Sequence, residues 1–221
     1  MDGMATVWMR MPGQSWPGAA AGFLGMWTAM MVAMMLPSFW PVLARCRRTA
    51  ASAGTMRCAA RTMLVSGGYF LVWTLFGLAS YPLGIALMAI AMRSPALAHA
   101  MPMAVGAVVL VAGALQFTAW KARQLACCRQ LTDCNCALQA DGKAAWRLGL
   151  RLGLRCCSCC SGLTATLFAV GLMDLRAMTG VTAAITFERL APARVPAARF
   201  IGIAMLAAGL FLIAGAACRQ P

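Results

Sequence analysis

Four thiols crowd one short run, Arg155-Cys156-Cys157-Ser158-Cys159-Cys160-Ser161-Gly162. On a helix, Cys156 shares a face with Cys159 and Cys160 at i+3 and i+4. Cys157 points elsewhere but can meet Cys160 three residues on. One helix would then offer three soft ligands together, with a fourth from Cys127 or Cys128 in the preceding loop. Thiolates select Cu(I), Zn(II) and similar soft ions over Mg or Ca. Zn(II) wants a closed tetrahedral set, whereas Cu(I) accepts two or three thiolates. The same run also reads as two C-x-x-C pairs, Cys156 with Cys159 and Cys157 with Cys160, a spacing used in thiol redox chemistry. Cysteines can equally be small apolar packing residues.

Two neighbouring patterns bear on this choice. Lys143, Arg147, Arg151 and Arg155 recur every four residues and form a basic stripe leading into the cluster. If a helix starts near Cys156, its N-terminus adds positive potential there, and positive surroundings raise thiol reactivity. The stripe also reads as an amphipathic helix lying on anionic headgroups. Earlier in the chain, Met26, Met30 and Met34 form a ladder at i, i+4 spacing, with Met31 and Met35 beside it. Thioethers bind Cu(I) without deprotonation, and Met rows also serve as adaptable packing. The candidate ligands are therefore Cys156, Cys159, Cys160, Cys128, Cys127 and Cys157, with Met30 and Met34. Cu(I) is the favoured ion, and Zn(II) is second.

Polar groups within apolar segments are few: Gln116, Asp174 and Glu188. Intramembrane ionisable groups call for a functional hypothesis. Glu188 joins the candidate metal residues as a hard partner or proton carrier, or else pairs with Arg189 or Arg194. His99 is the only histidine, so a centre built from several histidines is excluded. No paired carboxylates or serine triad are present. No catalytic residue is assigned, and an enzyme is not the favoured reading.

The elements that must position these residues are set by composition. The chain is 62% hydrophobic and 11% charged. Continuous apolar runs approach the roughly 20 residues a helix needs to cross a bilayer, and only helices or closed barrels satisfy the backbone there. The expectation is an all-α, polytopic integral membrane bundle forming one domain over 1–221. Six spans are predicted at about 20–43, 62–92 (bent at Pro82), 101–120, 156–173, 175–190 and 197–217. The span at 175–190 is crowded at its ends by Asp174, Arg176, Glu188 and Arg189.

Most of the 19 Lys and Arg fall on one side of such a bundle. They are Arg45, Arg47, Arg48, Arg57 and Arg61, then Lys121, Arg123, Arg129, Lys143, Arg147, Arg151 and Arg155, then Arg189, Arg194 and Arg199. The other side holds Arg10, Arg93, Arg176 and Arg219. The positive-inside rule then puts both termini outside. The basic charge is thus topological. No aromatic-interleaved basic patch supports nucleic acid as a partner. Expected partners are the lipid bilayer, a metal ion, and a second copy or another membrane protein.

Topology sorts the cysteines. Cys46, Cys58, Cys127, Cys128, Cys134, Cys136 and the Cys156–Cys160 group face the reducing side, where structural disulfides are not expected. Only Cys218 lies outside. Glycines at seven-residue spacing, Gly77 and Gly84, Gly106 and Gly113, Gly202 and Gly209, predict faces where backbones come close. Trp8, Trp16, Trp40, Trp120 and Trp146 fall near predicted borders.

Over most of its length the chain resembles a bacterial family of predicted metal-binding integral membrane proteins of unknown function. The resemblance lies in Met30-Met31-Val32-Ala33-Met34-Met35-Leu36-Pro37-Ser38, in Gln116-Phe117-Thr118 through Lys121, and in Cys128-Arg129. It continues in Gly153-Leu154-Arg155-Cys156 with Cys159-Cys160, in Gly171-Leu172-Met173-Asp174-Leu175 with Met178, and in Glu188-Arg189-Leu190-Ala191-Pro192. It implies metal binding and a place in the bacterial inner membrane. The family's pattern departs here at four positions. Cys157 is extra, Gln124 stands where a loop cysteine is usual, Arg189 replaces Lys, and Asp174 replaces Asn.

Three functions stay open on the sequence. They are a membrane protein that binds or transports a soft metal ion, a membrane thiol-redox protein, and a structural or assembly factor.

Overall fold

A computed structural model describes residues 15–50, 55–93, 95–130, 141–172, 174–192 and 196–218. Trp8, Arg10, Cys134, Cys136, Met173, Arg194 and Arg219 lie outside the described residues. Seven helices and no strands occur among those described: α1 (Trp16–Ala50), α2 (Thr55–Arg93), α3 (Pro95–Leu115), α4 (Ala119–Gln130), α5 (Gly142–Val170), α6 (Leu175–Leu190) and α7 (Ala197–Ala217). Four of them, α1, α2, α5 and α7, are long and apolar enough to cross a membrane. A fifth arises if α3 and α4 count as one span bent by 70°.

Several boundaries differ from the sequence expectation. Both α1 and α2 run well past the predicted spans, so the arginines at 45–61 ride largely on helix extensions rather than on a long loop. The helix over α2 continues through Pro82. The third predicted span stops at Leu115, and the chain turns at Gln116–Thr118 before α4. Cys127 and Cys128 therefore sit on a helix, not in a loop. With 16 residues, α6 is about 24 Å long, shorter than the roughly 30 Å hydrocarbon core of a bilayer.

The largest correction concerns α5. It does not begin near Cys156; it begins at Gly142 and runs 29 residues without a break. Lys143, Arg147, Arg151 and Arg155 are exposed along one side, while Ala145, Leu148, Gly149, Leu152 and Gly153 are buried on the other. The basic stripe is the first half of the same helix, packed against α2, not a separate surface helix. Cys156 lies about four turns from the helix start. The N-terminal dipole acts within the first turn and contributes nothing there.

Two interfaces dominate the packing: α2 against α5, and α3 against α7. In the second, Gly106 and Gly113 of α3 meet Gly209 and Gly202 of α7. A Cβ on Gly113 would sit 3.0 Å from the Cβ of Met205. The first is tighter where it matters. A Cβ on Gly153 would stand 2.9 Å from the Tyr69 carbonyl oxygen. That closeness lets the Tyr69 side chain of α2 reach across to Cys156, one turn further along α5.

A short turn joins α5 to α6. Gly171 has φ +134°, a conformation that L side chains rarely adopt, and its N–H donates to the Leu167 carbonyl at 3.0 Å. Asp174 then caps α6, its carboxylate accepting from the N–H of Arg176 at 2.8 Å and of Ala177 at 3.4 Å. Asp174, singled out above as an ionisable group near a span, is a helix cap.

Candidate metal centre

Helical spacing places Cys156, Cys159 and Cys160 on the inner face of α5. Their exposures are 0%, 1% and 1%, and Cys157 is half-buried. The sulfurs of Cys156 and Cys160 stand 4.0 Å apart. A thioether completes the group: the Cys156 sulfur lies 4.0 Å from Met35 Sδ on α1.

Polar side chains converge on Cys156 from two further helices. Tyr69 Oη of α2 donates to its sulfur at 3.0 Å. The phenol is held by stacking on Phe39, ring centroids 4.3 Å apart and 10° from parallel. Arg189 of α6 donates from Nη1 to the same sulfur at 3.3 Å and to Ser38 Oγ at 3.1 Å. Ser38 in turn donates to the Met35 carbonyl at 3.0 Å. The positive charge that Cys156 meets is thus a guanidinium, not a helix end.

Beside this group lies a second buried polar cluster. Lys121 Nζ of α4 pairs with Glu188 Oε2 of α6 at 2.7 Å, both side chains nearly inaccessible to solvent. Lys121 also donates to the Cys159 carbonyl at 2.7 Å. Glu188 was expected either as a metal partner or paired with Arg189 or Arg194. Its observed partner is Lys121, because adjacent residues on a helix project about 100° apart. Glu188 turns toward α4 and Arg189 toward α1 and α5.

The remaining candidates fall around the thiols. Cys128 on α4 is buried, and its thiol donates to the Arg155 carbonyl at 3.3 Å. Cys127 is half-buried. Met30 and Met34 are buried in the apolar core of α1, but the thioether against Cys156 belongs to Met35. The sulfur that stands 4.0 Å from that of Cys156 belongs to Cys160, at i+4, not to the C-x-x-C partner Cys159. Cys218 is exposed.

Among the described residues no three His, Cys, Asp or Glu side chains have the spacing of a metal site. What converges is two thiols and a thioether. Taking sulfur–metal bonds of about 2.3 Å, two sulfurs on one ion lie between about 3.8 Å (tetrahedral) and about 4.6 Å (linear) apart. The observed 4.0 Å falls inside that interval. This donor set suits a soft ion of low coordination number.

A family model described as copper chaperone matches residues 24–212. The chain belongs to this copper chaperone family. The match takes in every helix that contributes to the group, from Met35 on α1 to Arg189 on α6. No curated protein and no solved structure matches the chain. Family membership thus agrees with the soft-metal chemistry expected from the sulfurs.

Sequence reasoning missed Tyr69, placed Ser38 and Lys121 beside no thiol, and offered Arg189 only as a partner for Glu188. Tyr69 had a usable signal, being one of 2 tyrosines in the chain and lying inside an apolar run. Its hydroxyl would need a partner on folding.

Proposed function

We propose that this chain handles Cu(I) inside a helical membrane bundle, holding it between Cys156 and Cys160 with the Met35 thioether as third donor. The observation that carries the reading is the 4.0 Å convergence of these sulfurs in a fully buried site. The copper chaperone family supports the ion. The apolar lengths of α1, α2, α5 and α7 support the bilayer. In this reading α3 and the short α6 cross as well, giving six spans, so that both termini lie outside the bacterial inner membrane and the thiols lie near its cytoplasmic face, just inside the exposed Arg151 and Arg155. A reducing cytoplasm keeps those thiols available. Cu(I) binding would replace the protons of both thiols with sulfur–metal bonds, and the ion is cargo rather than a permanent part of the protein.

The test is metal analysis of the full chain purified in detergent after anaerobic loading with Cu(I). The native chain should hold about one ion, and a Cys156→Ser, Cys160→Ser double variant less than about a tenth of that. Equal copper in the two proteins, at equal monodispersity, would overturn the assignment. A matching test of location is cysteine labelling from either side of sealed inverted vesicles. Cys218 should react from the side opposite Cys127.

A further inference from the structure

Arg189 brings a permanent cation against the sulfur of Cys156, and among the described residues no carboxylate pairs with it. The acid next to it in the chain, Glu188, is paired with Lys121, and that pair is neutral as a unit. The other groups on Cys156, the Tyr69 phenol, the Met35 thioether and the Ser38 hydroxyl behind Arg189, carry no charge. Among the described residues, the set around the two thiols therefore has one unbalanced positive charge before any thiol ionises, carried by the half-buried Arg189.

We infer that Arg189 sets the charge of the ion the site accepts, making it selective for a monovalent soft cation. This rests on the reading of Cys156 and Cys160 as the ligand pair. Two thiolates and one M(I) sum to a single negative charge, and Arg189 cancels it. Two thiolates and one M(II) are already neutral, and Arg189 then remains as an uncompensated charge beside a fully buried sulfur. Uncompensated charge in a low-dielectric interior is costly. Sulfur softness alone does not draw this line, because Zn(II) also takes thiolates.

Binding balances without redox change. Two S–H bonds break, two S–M bonds form, and two protons leave to solvent as M(I) arrives. The site's net charge falls by one on binding M(I) and is unchanged on binding M(II).

The experiment is competition between Ag(I), a redox-inert monovalent probe, and Zn(II), using the full chain in detergent. Bound metal is read by native mass spectrometry. The native chain should favour Ag(I). Arg189→Gln should lower the Ag(I)-to-Zn(II) preference by about tenfold or more, while Arg189→Lys should keep it within about threefold. Ser38→Asp leaves Arg189 in place but sets a carboxylate against its guanidinium, and should move the preference the same way as Arg189→Gln. That variant decides the matter if Arg189→Gln does not fold. An unchanged preference in the folded variants, with metal still bound, overturns the inference and leaves the ligand assignment standing. No metal of either kind on the native chain overturns the ligand assignment itself.

Discussion

Glu188 and Arg189 are neighbours in sequence, yet they serve two unlike buried regions. Glu188 closes a charge pair with Lys121, which is tied further to the Cys159 carbonyl. Arg189 turns the other way and spends its charge on a sulfur and a hydroxyl. One region is electrically complete as it stands. The other, in the proposed reading, becomes complete only when its two thiols exchange their protons for a monovalent ion. A buried ion pair is weak evidence for net stability, but it can fix how helices sit together. Here it fixes α4 and α6 against α5, so that Arg189 meets Cys156.

The contrast can be broken from the closed side first. Lys121→Ala should destabilise the protein by about 3–5 kcal/mol, because it strands the Glu188 charge in the interior. A thermal melt in detergent reads the loss, and a Lys121→Ala, Glu188→Ala double variant should recover part of it. Equal melting temperatures for the native and single-variant proteins would show that Glu188 is not held as an ion.

A middle-sized effect should come from the helix contact that serves the sulfur side. Gly153→Ala sets a methyl 2.9 Å from the Tyr69 carbonyl oxygen, so α2 must move. A cost of about 1–3 kcal/mol is expected, as for other overpacked sites. Copper binding should weaken with it, since the phenol is drawn off Cys156. A variant of native stability and affinity would mean that the α2–α5 contact is looser than described.

The smallest change sharpens the comparison. Met35→Leu conserves volume and should cost less than about 1.5 kcal/mol in stability, while Cu(I) affinity falls by about threefold to tenfold through loss of the thioether. The same substitution at Met34 should leave affinity unchanged. Equal losses at both positions would make the methionine row packing rather than a donor.

How much of this was readable beforehand varies by region. Helical periodicity separated Cys157 from Cys156, Cys159 and Cys160, and the glycine spacing of α3 and α7 marked their contact, because both follow from one helix taken alone. Selecting Met35 over Met30 and Met34 was beyond such reasoning, since it depends on how α1 is rotated against α5. The true start of α5 was hidden because Lys143, Arg147 and Arg151 interrupt any apolar count, although the helix is amphipathic there and continuous with its apolar half. The break at Gln116–Thr118 carries no proline or glycine to announce it. Partners between distant segments, Lys121 with Glu188 and Tyr69 with Cys156, depend on tertiary arrangement, which no local pattern encodes.

The turn at Gly171–Asp174 has a consequence for chain length. Equal runs of residues separate Cys156 from Gly171 and Asp174 from Arg189, so the two arms fold back and bring cation and sulfur level. The turn acts as the pivot of a caliper whose jaws are Arg189 and Cys156. One residue inserted in either arm would lengthen it by about 1.5 Å and swing its jaw about 100° aside. Every side chain named here would still be present. The spacing along α5 and α6 is as much a part of the centre as the atoms that touch it.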